Sequence, residues 1–150
     1  MKCKLTNKIK NRDCYVKCSD CSNIKLEGNS EKIANIATLK EKCVKKVSLE
    51  YTGYIDISGY RTDIPITFQF FKRYACSDYL YPIGGEYLFF PGINFSSIKI
   101  MMCDKDLSNG EVKYLIKIKN NSTEELDIVR VLDGYLLLIV ESSKGIEEDL

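Results

Sequence analysis

From residue 45 to residue 140 apolar side chains recur at every second position in short runs, and turn-forming residues separate the runs. A period of two places successive side chains on opposite faces of an extended chain, so each run reads as a half-buried strand. Val47, Leu49 and Tyr51, followed by Tyr54 to Ile57, suggest one long strand with a bulge near Gly53. Ile64 to Phe71, Glu86 to Phe90, Ile98 to Cys103 and Val112 to Lys119 read as further strands. The Gly59 to Asp63 segment and the Gly84-Gly85 pair read as turns. Ile128 to Leu132 and Tyr135 to Val140 flank Asp133-Gly134, which predicts a hairpin. Upstream, Cys21 to Glu27 alternates and reads as a short strand ending at Gly28. Ile33, Ile36, Ala37 and Lys40 keep helical spacing behind Ser30, a plausible N-cap, so one short helix is expected over 31–43. The class is therefore mainly β, and a barrel or a sandwich is the natural way to close so many short strands.

At 150 residues, 45% of them apolar, the chain is long enough for a substantial core and reads as a single domain over 1–150. There is no histidine. Its absence removes the commonest general base, the Ser-His and Cys-His nucleophile pairs and every His-containing zinc site. Carboxylate pairs such as Asp104 with Asp106, Glu124 with Glu125, or Glu147 to Asp149 could serve glycoside hydrolysis, but nothing in the sequence gathers them into one pocket. The expectation is a non-catalytic protein without cofactor or resident metal. The longest apolar run, Tyr135 to Val140, is far short of the roughly 20 residues that span a bilayer, and no membrane partner is expected.

Net charge is +1, which disfavours nucleic acid as the partner of the chain as a whole. The charge is uneven, however. Residues 1–46 hold 12 basic and 5 acidic side chains, against 10 and 16 in 47–150, so a basic segment precedes a mildly acidic body. Seven of the ten tyrosines lie between 51 and 87, a composition that suits both a half-buried sheet and a binding surface.

The seven cysteines are Cys3, Cys14, Cys18, Cys21, Cys43, Cys76 and Cys103. Cys14, Cys18, Cys21 and Cys43 could supply four thiolates to zinc, although the second short Cys-x2–4-Cys knuckle of a structural site is missing. The Cys-x3-Cys-x2-Cys spacing is also similar to the cluster motif of radical enzymes that use S-adenosylmethionine, which need a far larger barrel. The remaining reading is a disulfide framework in a secreted protein. Three sequons, at Asn94, Asn120 and Asn121, agree with it weakly. Residues 1–20 are polar and lysine-rich, with no apolar signal region, which favours the alternative of an intracellular (cytoplasmic) β protein from a parasite or virus, binding a host or viral protein with its cysteines reduced or zinc-bound.

The stretch from Cys76 to Gly92, CSDYLYPIGGEYLFFPG, followed by Ser97 to Asp104, SIKIMMCD, resembles the netrin-like domain, and within it the tissue inhibitors of metalloproteinases. The matching positions are Cys76, Leu80, Gly84 or Gly85, Glu86, Tyr87, Leu88, Gly92, Ile98, Ile100, Cys103 and Asp104. Cys21 to Gly28 looks like that family's cysteine leading into its first strand, so the resemblance covers roughly residues 14–108. It implies a five-stranded oligonucleotide/oligosaccharide-binding (OB) type barrel, with residues 109–150 added as a strand and a hairpin. It also implies that Cys76 and Cys103 are disulfide-bonded to two cysteines of the N-terminal segment, drawn from Cys14, Cys18 and Cys21. Such a module is secreted and binds a protein, a protease among the candidates, through its stapled N-terminal segment. Here that segment is Cys14, Tyr15, Lys17, Cys18 and Asp20. One departure is plain: there is no Cys-x-Cys anywhere in the chain, so the inhibitors' zinc-chelating terminus has no counterpart.

Overall fold

The computed structural model describes residues 13–40, 44–58, 63–91, 96–107 and 110–142. Nine strands occupy most of this length: β1 (Asp13–Cys18), β2 (Ser22–Leu26), β3 (Glu31–Leu39), β4 (Val44–Ser58), β5 (Ile66–Tyr74), β6 (Tyr81–Phe89), β7 (Ser96–Asp104), β8 (Val112–Asn120) and β9 (Ile128–Ser142). They form two antiparallel sheets. One has the order β1-β9-β4-β7, with β2 also paired to β9, and the other has the order β3-β8-β5-β6. Apart from β1–β2 and β5–β6, every step along the chain crosses from one sheet to the other. That path is a jelly roll, a two-sheet sandwich. The expected mainly β class is what is found. The expected OB-type barrel is not, because among the described residues no strand of one sheet pairs with a strand of the other.

The core lies between the inner faces. Val47, Leu49, Tyr51 and Ile55 of β4 and Leu136, Leu138 and Val140 of β9 face Ile66, Phe68 and Phe70 of β5 and Tyr114, Ile116 and Ile118 of β8, all of them buried. The alternation along β5 is strict. Each fully buried side chain of this size contributes about 1.5–3 kcal/mol relative to exposure.

Two expected elements differ for the same reason. The segment 31–39 is β3 rather than a helix. A register shift between Ile33 and Asn35 moves the alternation by one position, and this turns a strand's pattern into an apparent helical spacing. Asp133-Gly134 likewise makes a bulge instead of a hairpin, and β9 runs through it for 15 residues. Asp133 takes the left-handed conformation, φ 52°, and the pair opposes Gly53 of β4, where that strand shifts register between Thr52 and Tyr54. Gly134 is required by packing, since a Cβ there would lie 2.4 Å from the Tyr51 hydroxyl oxygen. Gly84-Gly85 is also internal to a strand, β6. The expected turn at Gly59 lies outside the described residues for the most part.

Strands β8 and β9 come from the stretch expected to extend a barrel. They are instead inner strands, β8 between β3 and β5, and β9 between β1 and β4. At the far edge of the five-stranded sheet, β1 and β2 pair with successive halves of β9. The break between them is stitched by Asn35, whose amide donates to Ser19 Oγ (3.2 Å), the Asp20 carbonyl (2.8 Å) and the Gly134 carbonyl (3.0 Å).

Candidate functional site

Strands β6 and β7 are the outer strands of their sheets and lie on the same side of the sandwich. An exposed strand edge invites pairing with other chains, and this one is blunted in two ways. Pro82 has no N–H to offer. Beyond it, β6 carries two extra residues between Ile83 (opposite Phe70) and Tyr87 (opposite Phe68), a wide bulge around Gly84 and Gly85. Gly84 has φ 69°, and a Cβ there would fall 2.4 Å from Met102 of β7. The left-handed backbone favours glycine here, whereas the contact falls on the flexible end of the Met102 side chain, which can move aside. Past the bulge, the Tyr87 hydroxyl donates to the Met101 carbonyl at 2.8 Å and ties β6 to β7.

At the other end of the seam a buried ion pair joins the sheets. Lys72 of β5 places Nζ 3.1 Å from each carboxylate oxygen of Asp104, the last residue of β7. Its ammonium also donates to the Asp106 carbonyl. Tyr114 of β8 donates its hydroxyl to Asp104 Oδ2 at 2.8 Å, and the Asp106 backbone N–H donates to Oδ1 at 3.2 Å. Burial lowers the proton affinity of Lys72, but hydrogen bonds from its ammonium to Asp104 and Tyr74 and their charges outweigh it, so its pKa lies above the ordinary value. Burial, followed by the Asp104 carboxylate, raises that of Tyr114. The alternation of β5 and β7 would have marked both Lys72 and Asp104 as inward-facing, a signal that opposite charges at buried positions are paired.

Beside this pair is a half-open cavity of about 580 Å³. Tyr74, Tyr81, Pro82 and Ile83 form one wall, Met102 and Cys103 the other, and Lys72 and Asp104 lie in its lining. Tyr81 packs edge-on against Tyr74 (5.5 Å between centroids) and Tyr79 (4.6 Å), giving the mouth an aromatic rim. Tyr79 is 62% exposed. The volume and the mainly apolar lining suit a bound group rather than solvent alone. Lys72 and Asp104 neutralise each other, and Lys105, Asp106 and the free thiol of Cys103 also line a pocket whose surface is otherwise mainly apolar and aromatic.

The residues expected to staple the molecule are not brought together. Cys14, Cys21, Cys76 and Cys103 are free thiols. Cys14 and Cys18 lie on β1, and Cys103 on β7, at opposite edges of the sheet with β9 and β4 between them. Three strand spacings amount to about 14 Å, more than twice the usual Cα separation across a disulfide. Cys76 is exposed in the turn after β5. Among the described cysteines, Cys18 alone is disulfide-bonded. The zinc alternative includes Cys43, which lies outside the described residues. Among the described ones no group of three or more Cys, Asp or Glu could hold a metal ion.

The expected binding residues Cys14, Tyr15, Lys17 and Cys18 are half-buried in β1, a strand of the sheet rather than a free strap, and Asp20 is exposed just after it. They lie across the sheet from the cavity. Of the sequons, Asn120 is fully buried, its amide spent on the Leu26 and Asp127 carbonyls, so it is not an acceptor in the folded chain. Asn121 bonds Thr67 Oγ1, and Asn94 lies outside the described residues.

No family model matches the chain, and no curated protein does. Among solved structures, it is similar to Eiger TNF from S. frugiperda, at 7% identity and a TM-score of 0.51, over 83% of this chain and 90% of that one. It is also similar to a chain of the infectious bursal disease virus Gx strain, at 10% identity and a TM-score of 0.54, over 90% of this chain and 34% of that one. At such identities the likeness is one of fold, and it agrees with the two-sheet sandwich.

Proposed function

We propose that the chain is a non-catalytic binding module whose partner is a protein, docked on the β6 edge with an apolar or aromatic side chain seated in the tyrosine-rimmed cavity. The observation that carries this reading is the exposure of large apolar side chains along and beside one edge strand: Tyr79, Tyr81 and Tyr87, with Leu88 at 59% and Phe90 at 58%. Next to them Met101 of β7 is 54% exposed. Single exposed apolar residues are ordinary, but a set gathered at a cavity mouth on a rigid sheet has the composition of an interface centre. Rigidity limits the entropy lost on docking. Within the cavity the Lys72 ammonium and the Asp104 carboxylate neutralise each other.

The test is quantitative retention of partners from the organism's own extract, with cross-linking to map contacts. A bound protein should be lost from a Tyr79→Ser/Tyr81→Ser variant, kept by a Lys99→Gln control, and cross-linked at β6. Equal retention by both variants, with loss on Lys17→Glu/Asp20→Lys instead, would move the interface to β1 and overturn the site.

A further inference from the structure

The outer face of the four-stranded sheet has a pattern of its own, on the side of that sheet away from the core. Along β8 the outward side chains are Lys113, Leu115, Lys117 and Lys119. Across the ladder, Lys113 faces Arg73 of β5, Leu115 lies between Ile36 of β3 and Phe71 of β5, and Lys117 and Lys119 face Gln69 and Thr67. The result is an apolar row crossing the sheet, Ile36–Leu115–Phe71, with cations on both sides of it; Leu115 is covered at 1% exposure, and Ile36 at 45% is the part of the row most open to solvent. The two cationic groups are about 13 Å apart along the strand.

Like charges directly opposite one another destabilise a sheet, yet Arg73 and Lys113 are so placed. Among the described residues neither of them, nor Lys119, has a carboxylate at ion-pair distance. Two acids do share the face. Glu31 reaches Lys117 at 3.8 Å, and Glu86 helps line a small cavity of about 160 Å³ with Gln69, Lys117 and Lys119. The face keeps an excess of positive charge, concentrated at Arg73 and Lys113 because Glu31 and Glu86 sit beside Lys117 and Lys119, on a chain whose net charge is only +1.

We infer that this face binds a linear anionic polysaccharide laid along β8. Charge complementarity selects an anion, and the interruption selects its kind. A sulfated or carboxylated sugar chain alternates anionic substituents with the apolar faces of its rings, and it can set a ring face on the exposed Ile36 while its anions meet Arg73 and Lys113 at one end and Lys117 and Lys119 at the other. A nucleic acid presents an unbroken line of phosphates and gains from aromatic stacking. Here the one aromatic ring of the row, Phe71, is already covered by Lys117, whose Nζ is 5.1 Å from its centroid. The site adjoins β6 through Glu86, but the inference does not depend on the function proposed above.

The probe is a size-defined heparin oligosaccharide, titrated against the full chain at two salt concentrations, with a single-stranded DNA of equal charge in parallel. Binding is expected to weaken with salt, to fall at least tenfold in Lys113→Gln/Lys117→Gln/Lys119→Gln, and to fall several-fold in Ile36→Ser, which alters no charge. Lys99→Gln, on the other sheet, should leave it unchanged, and thermal midpoints should show all variants folded. No binding by the wild-type chain, undiminished binding by the triple variant, or equally tight binding of the DNA would each overturn the inference.

Discussion

The Lys72 ammonium lies 3.1 Å from both carboxylate oxygens of Asp104, and the two residues belong to different sheets. Both are almost wholly buried. Removing one partner leaves an uncompensated charge in the seam, which costs about 3–5 kcal/mol. Asp104→Asn and Lys72→Met are each expected to lower the urea unfolding free energy by that order, and the double variant should be less destabilised than their sum. Strict additivity would mean that the pair does not interact.

The same cluster, together with the buried Tyr51 hydroxyl, is expected to make the fold sensitive to alkali. Lys72 and Tyr114 both hold their protons more tightly folded than unfolded. Their contribution is fully present below the unfolded values, near pH 10, and is lost as pH rises through the folded ones. Stability measured by denaturant should fall steadily above about pH 10, and Lys72→Met/Tyr114→Phe should flatten that fall. An unchanged slope would show that other groups dominate.

Tyr51 is fully buried under Gly134, and its hydroxyl has no hydrogen-bond partner. An orphaned buried hydroxyl costs about 1–3 kcal/mol. Tyr51→Phe is therefore expected to be neutral or stabilising, which is unusual for a core substitution. Gly134→Ala should be destabilising by about 1–3 kcal/mol through the close approach of the new methyl group to that oxygen. In the Tyr51→Phe background the penalty should shrink, and a double-mutant cycle of thermal midpoints reads the difference.

Cys76 and Cys103 are free thiols. Replacing either with Ser should leave the unfolding midpoint under non-reducing conditions within about 0.5 kcal/mol, as for an ordinary substitution away from the core. A loss of 2–5 kcal/mol would indicate a native disulfide instead. Alkylation of the native, unreduced protein should modify both, Cys76 faster because it is the more exposed.

What was legible in the sequence follows from how local each signal is. The alternation at Val47 to Tyr51, and the bulge at Gly53, are written in neighbouring residues, and both are found. β3 and the Asp133-Gly134 step were misread because a bulge resets the phase of the alternation, which makes a strand look like a helix and a continuous strand look like two. The cysteines misled for a non-local reason. Proximity of Cys14 or Cys18 to Cys103 depends on strand order, and order is decided by which strands share a core, not by spacing along the chain. Asp104 appeared first as one of a pair of acids and then as part of a family-like motif. Its actual partner, Lys72, is 32 residues away on the other sheet, and only the inward phase of both strands hints at it.

The places of β8 and β9 bear on how the molecule comes into being. β1 and β2 pair with β9, and β3 with β8. A ribosome that has delivered the chain only as far as residue 111 has released seven strands, of which β4 with β7 and β5 with β6 are the ladders available. Each half-built sheet then has a gap where its later strand will insert, with the Val47 and Phe68 faces open to water. The sandwich cannot close until β8 and β9 have emerged, and until then the nascent chain depends on whatever shields it from its neighbours.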